Sequence, residues 1–249
     1  MKFSLITCSN DLACYTRNVA ASTAAWCPQF ERVLVDNRDN RFTLPEALNH
    51  GRRQARGDIL IFCHQDVIFP TDWLRAVESQ IALVESIDPQ WGVIGLMGVK
   101  ANGQFAGHIQ DPHTSDRLGR LPCEVATLDE VCLIIRSDLV LLFDEDLGGH
   151  HFYGADLCLA VRQEGLKCYA IDAPLRHLSG GRLSEEFFGV AARLKTKWSN
   201  IPRSPLAIET TCGAFPLRDT LPARLAAAFK TIRRRARRRL RHWRHARPA

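Results

Sequence analysis

Short, unbroken apolar runs alternate with helix-period patterns along the first hundred residues. Phe3-Ser-Leu-Ile-Thr-Cys8, Val33-Leu-Val35, Ile59-Leu-Ile-Phe-Cys63 and Val93-Ile-Gly-Leu96 predict four strands buried on both faces. Helical patterns fall between them at about 15–26, 44–55 and 71–86. In the last of these, Leu74, Val77, Ile81 and Val84 recur at the spacing that lines one helix face. Strand–helix–strand alternation predicts a parallel α/β sheet with helices on both faces. Right-handed crossovers would then gather every strand's carboxyl end on one edge, where such sheets bind ligands.

The second half is less regular. Residues 97–124, rich in Gly, Pro, His and Asp, predict a long loop region with a short hairpin. Val131-Cys-Leu-Ile-Ile135 predicts another strand, Ala155–Gln163 a helix ended by Gly165, and Lys167–Ile171 a short strand. A helix is expected over 184–198, opened by a capping Ser184, followed by a proline-marked linker at 206–216. The expected organisation is therefore a body over 1–205, that linker, and a tail over 217–249.

Charge changes this picture more than composition does. The 249 residues carry 33 Lys and Arg against 27 Asp and Glu, a formal +6. Twelve of those bases and a single acid, Asp219, lie from Leu217 onward, giving that segment +11. Residues 1–216 hold 21 bases and 26 acids, a net −5. An acidic body with a basic tail argues against a nucleic-acid-binding core. Nine scattered cysteines with no CxxC pair argue against a disulfide framework or a zinc site. No run reaches the roughly 18 apolar residues of a membrane span, and the N-terminal apolar stretch ends too early for a signal peptide. A cytoplasmic protein is expected.

The candidate chemistry sits where strands end. Strand three runs straight into His64-Gln65-Asp66, and alternation turns His64 and Asp66 to the same side. An imidazole and a carboxylate there could hold a divalent cation or contact a ribose, or simply form a polar turn. Strand one ends in Asn10-Asp11 and strand two in Asp36-Asn37, turn formers that could equally meet a nucleotide base. The lack of a Walker A motif and of GxGxxG argues against a P-loop ATPase or a dinucleotide dehydrogenase. Asp156, at the start of a helix, reads as an N-cap or as a general base. His177, followed by Gly180-Gly181, reads as a solvated loop residue or as a contact for phosphate or metal.

Four segments in order carry a resemblance: Asn49-His-Gly-Arg-Arg-Gln-Ala-Arg-Gly57, Ile59 to Asp66, His151-Phe-Tyr-Gly-Ala-Asp156-Leu-Cys-Leu, and His177-Leu-Ser-Gly. Over residues 3–200 the chain resembles the family 2-like glycosyltransferases of the GT-A fold, a Rossmann-like, mostly parallel sheet with helices on both faces. The resemblance implies inverting transfer from a nucleotide-sugar, guessed to be a UDP-sugar, with Mn²⁺ or Mg²⁺. It implies donor contacts at Asn10, Asp36, Arg52 and His64, metal ligation by Asp66 and His177, and Asp156 as catalytic base. The chain departs from the family pattern twice: His64 replaces the first acid of a DxD-type motif, and Ala155 the Glu of a Glu-Asp pair. A −5 body needs a metal, or cations such as Arg52, Arg53 and His177, to hold a diphosphate. Lys195, Lys197 and Trp198 receive no firm role.

Other readings stay open: a retaining transferase or nucleotidyltransferase on a similar sheet, an inactive nucleotide-binding scaffold, or a nucleic-acid binder acting through the tail. In that tail Leu221, Leu225, Phe229, Ile232, Ala236, Leu240 and Trp243 form one apolar stripe if helical, with Arg filling the remainder. Against anionic lipid the arginines stop repelling one another and the stripe can insert. A basic amphipathic helix at an anionic membrane surface is therefore expected, with a solvated, largely disordered tail as the alternative and nucleic acid or a protein as weaker partners. The acceptor, a carbohydrate or lipid-linked hydroxyl, has no signature.

Overall fold

In the computed structural model, residues 1–26, 30–180 and 184–245 are described, with side chains described to Ala236 in the last helix. In chain order the elements begin β1 (Phe3–Ser9), α1 (Leu12–Tyr15), β2 (Phe30–Asp36), α2 (Leu44–Gln54), β3 (Ile59–Cys63), β4 (Val67–Ile68) and α3 (Trp73–Ile87). Next come β5 (Val93–Gly95), β6 (Met97–Val99), β7 (Phe105–Gly107), β8 (Cys123–Val125), β9 (Thr127–Leu128), β10 (Cys132–Arg136) and α4 (Tyr153–Gln163). The chain continues through β11 (Cys168–Ala170), β12 (Arg176–His177), α5 (Glu185–Ser199), β13 (Ala207–Glu209), β14 (Ala214–Pro216) and α6 (Leu221–His245).

The main sheet has seven strands in the order β2-β1-β3-β10-β5-β11-β8. β1, β2, β3, β5 and β11 run one way, whereas β10 and β8 run against them. The sheet is mostly parallel, but the expectation that every strand's carboxyl end shares one edge fails for these two. The exception matters: an antiparallel strand begins where its neighbours end. The approach to β10, residues 129–131, is thereby brought to the carboxyl edge, and the His64 amide donates to the Val131 carbonyl at 3.1 Å.

Alternation along the central strands divides the core between two faces. Leu60 and Phe62 join Leu48 of α2, Leu157 of α4 and Leu194 of α5. Ile59, Ile61 and Cys63 pack with Val77 and Ile81 of α3 and with Trp73. Both faces are covered, which is why these strands read as continuous apolar runs.

Three expectations need correction. The helix expected at 15–26 begins earlier, capped by the Asp11 side chain, and passes into a π-helical stretch over Thr16–Ala20. The segment expected to be a linker, 206–216, holds the β13–β14 hairpin, with Ala207, Ile208 and Glu209 buried. The tail is not detached, since α6 lies against that hairpin with Ala223 and Ala227 buried. Of its expected stripe, Leu240 and Trp243 lie outside the described side chains.

Candidate active site

The site is built at the carboxyl edge of β1, β2 and β3. These strands are parallel, with Ser9 paired to Asp36, so Asn10 and Asp36 sit where β1 and β2 end. Asp36 is partly exposed and its carboxylate is held by Arg38, with Nη2 at 2.7 Å from Oδ2, which keeps its pKa below the usual carboxylate value. The Asn10 side-chain oxygen accepts from Gln65 Nε2 at 2.8 Å. Gln65 Oε1 in turn accepts from Ser9 Oγ at 2.7 Å and from the Asp11 amide at 3.1 Å. Gln65 therefore clasps the β1 loop to the turn after β3, a role the sequence did not disclose.

His64, Asp66 and His177 come together, each offering one ligand atom within 4.8 Å of the others. His177 reaches this point because β12 pairs antiparallel with β4, setting His177 opposite Val67, and the Leu178 amide donates to the Asp66 carbonyl at 3.0 Å. Its Nε2 lies 3.4 Å from His64 Nδ1, 3.4 Å from an Asp66 oxygen and 3.2 Å from Ser179 Oγ. Gly181, the second glycine of the motif, lies outside the described residues.

The hydrogen-bond network sets the tautomer of His64. Tyr153 Oη donates to the Glu130 carbonyl at 3.1 Å, which uses the phenol's single proton. The contact between Tyr153 Oη and His64 Nε2 at 3.1 Å must then be donated by the imidazole. That leaves Nδ1 bare and aimed at the cluster. Burial, reinforced by the neighbouring His177, pushes the His64 pKa down to about 4 and keeps the ring neutral. Burial tends to raise the Asp66 pKa, but hydrogen bonding and charge from His177 outweigh it and hold the carboxyl well below the usual range. A bare imidazole nitrogen, an ionised carboxylate and a second imidazole form a donor set that fits a divalent transition-metal ion.

Asp156 lies one turn into α4, on the side of the helix shared with Tyr153. Its side chain is 3% exposed, with Oδ2 bonded to Lys197 Nζ at 2.8 Å and Oδ1 to Trp198 Nε1 at 2.7 Å. Lys197 also bridges to Asp144 at 2.6 Å, and these two carboxylates raise its pKa despite burial. Burial pushes the Asp156 carboxyl upward against the pull of Lys197. The two shifts oppose each other, and the paired contacts on Lys197 favour a charged Asp156. Residues left without a role, Lys197 and Trp198, thus hold the candidate base from a helix 41 and 42 positions away.

Glu130, whose role the sequence did not disclose, is a partly buried residue whose carboxyl meets the N-terminus of α4. Burial and the nearby Asp129 charge push its pKa up to about 8, against hydrogen bonds from the Gly154 and Phe152 amides. Arg52 does not join the site. It belongs to the last turn of α2, which leads back to the start of β3 at the opposite edge, and it donates to the carbonyls of Leu139 and Leu141. Arg53, in the same turn, shares that placement.

Residues 13–95 match the family profile described as glycosyl transferase family 2. A Fuscovulum blasticum protein described as "ATP synthase subunits region ORF 6" is 33% identical over 177 residues, covering 68% of this chain and 71% of that protein. Among solved structures, GalNAc-T7 with UDP, GalNAc and Mn²⁺ aligns with a TM-score of 0.56 at 12% identity, over 80% of this chain and 48% of that one. The chain thus spans about half the length of GalNAc-T7. Staphylococcus aureus TarS 1–349 with UDP-GlcNAc gives 0.56 at 14% identity, over 82% of this chain and 68% of that one. The Pyrobaculum calidifontis mannosyltransferase PcManGT with GDP-Man and Mn²⁺ gives 0.51 at 14% identity, over 80% and 61%. At these identities the structural likeness is one of fold.

Proposed function

By its family-profile match over residues 13–95 and its fold, the chain is a family 2-like glycosyltransferase, and from that premise we propose that it is metal-dependent and inverting and uses a nucleotide-diphosphate sugar. The observation that carries this reading is the convergence of His64, Asp66 and His177 at the carboxyl edge, beside the α4 turn that holds Asp156. GDP-Man with Mn²⁺, and UDP with GalNAc and Mn²⁺, in structures of the same fold support the donor class and the metal. Mn²⁺ or Mg²⁺ held by the triad would supply positive charge against the diphosphate leaving group, which a −5 body otherwise lacks.

The remaining chemistry falls to the chain's own residues. Asn10 and Asp36, at the ends of β1 and β2, would meet the nucleoside, and Tyr153 would orient His64. The acceptor hydroxyl oxygen attacks the anomeric carbon from the face opposite the diphosphate. Its bond to carbon forms as the carbon–diphosphate bond breaks, and Asp156 takes the hydroxyl proton. The acceptor would be a carbohydrate or lipid-linked hydroxyl.

One observation favours a second reading. Both oxygens of Asp156 are already bonded, and Ala155 stands beside it where the family's acidic pair has Glu. A nucleotide-binding protein without turnover would look the same. Thermal-shift measurements with UDP and GDP, each with and without Mn²⁺, test binding, and a donor panel tests turnover. Metal-dependent stabilisation that Asp66→Ala abolishes, together with transfer or donor hydrolysis, is the expected result. Stabilisation without turnover would select the second reading, and no metal-dependent shift with either nucleotide would overturn both.

A further inference from the structure

Helix α6 has two unlike faces. One is seated: Ala223 and Ala227 are buried, and Arg233 Nη2 bonds Glu209 Oε2 at 3.0 Å where that carboxylate is 2% exposed. Arg234 donates to the carbonyls of Thr210, at 2.8 Å, and Thr211. The other face carries Leu221, Leu225, Phe229 and Ile232, which are 69%, 59%, 65% and 65% exposed. Their 4, 4 and 3 spacing aligns them in one stripe along the helix. The stripe is therefore not what holds α6 to the body. Small alanines and two arginines do that, and the large apolar residues face outward.

We propose that α6 is an interfacial helix that docks the protein on an anionic membrane surface, with the stripe among the acyl chains and the arginines other than the seated Arg233 and Arg234 at the headgroup phosphates. Charge selects this occupant. The segment from Leu217 carries twelve Lys and Arg against one acid, including the block Arg233-Arg-Arg-Ala-Arg-Arg-Arg239. A second copy would bring +11 against +11 across the stripe. A nucleic acid would meet the arginines but leave four large apolar side chains in water. A bilayer with anionic headgroups satisfies both at once.

The docked helix would also set the orientation of the body. Thr127 Oγ1 donates to the Glu209 carbonyl at 2.6 Å, and Thr211 Oγ1 donates to Asp129 at 2.6 Å. The hairpin under α6 is thereby fastened to the segment leading into β10, whose Glu130 carbonyl receives Tyr153. The membrane-facing helix and the candidate site are joined through one short run of chain. Docking does not depend on the transfer reaction, and its test is separate.

The 249-residue chain would be co-sedimented with phosphatidylcholine vesicles with and without phosphatidylglycerol. Binding that rises with phosphatidylglycerol and falls with added salt is expected. The variant Leu225→Glu/Phe229→Glu, altered only at exposed positions, should bind at least about tenfold more weakly with an unchanged melting temperature. Binding that ignores anionic lipid, or a variant that binds like the parent, would overturn the proposal. So would absent vesicle binding accompanied by salt-sensitive RNA binding, or by a concentration-dependent dimer that the variant abolishes.

Discussion

At the scale of single residues, the site is a set of side chains whose neighbours decide what they can do. Tyr153 spends its proton on the Glu130 carbonyl and so fixes which His64 nitrogen is bare. Tyr153→Phe should leave the ring free to turn and weaken Mn²⁺ binding by about tenfold or more, measured by calorimetry. Asp156→Asn keeps the size of the side chain but cannot accept a proton. Turnover should fall by roughly 10²–10⁴-fold while nucleotide affinity is retained, a split visible in kcat against Kd.

Glu130 gives a pH prediction. Its folded pKa, about 8, lies above the ordinary 4.5. Its contribution to stability is fully present below the unfolded pKa and is lost as pH rises through the folded one. Melting temperature should therefore decline between about pH 5 and pH 8 more steeply in the parent than in Glu130→Gln. Equal slopes would show that Glu130 ionises normally. None of this was legible in sequence: His64 and Asp66 share a side by alternation, but Tyr153, Glu130, Lys197 and Trp198 arrive from distant positions.

At the scale of elements, a strand buried on both faces is the easiest to read, because it must be apolar throughout. β1 and β3 accordingly lie within a residue of expectation. α2 matched too, and its fit to the sheet depends on a residue with no side chain. A Cβ on Gly51 would lie 2.4 Å from Ile6 Cγ2 and 3.0 Å from Val35 Cγ2, both on stiff β-branched side chains. Gly51→Ala should cost about 1–3 kcal/mol in denaturant unfolding. The π-helical stretch after α1 and the reversed direction of β10 left no trace in periodicity. An apolar run has the same composition in either direction. The β13–β14 hairpin was hidden for a related reason, since its prolines read as a linker until Thr127 and Asp129 supply partners.

At the scale of the whole molecule, the formal +6 divides into a −5 body and a +11 segment, yet the two are not mechanically separate. Arg233 neutralises the buried Glu209, whose Oε1 has no hydrogen-bond partner among the described residues. Arg233→Met should leave that carboxylate with only the nearby Lys230 as counter-charge, at a cost of up to roughly 3–5 kcal/mol if it stays ionised. Scanning calorimetry should show a drop of several degrees, and an unchanged melting temperature would mean that α6 does not support the body. Among the described residues no helix is long and apolar enough to cross a membrane.

The sequence by itself determined the α/β class, the strands β1, β2, β3 and β5, the helices α2 and α3, the strand-end positions of Asn10, Asp36, His64 and Asp66, and the asymmetry of charge. These follow from local periodicity and from counting, which need no partner. Tertiary structure decided the rest: the direction of β10, the arrival of His177, the bonds on Asp156, the exclusion of Arg52, and which face of α6 meets solvent. Each depends on contacts between residues far apart in the chain. Their energies come from packing and hydrogen bonding in space, and a linear pattern does not carry that information.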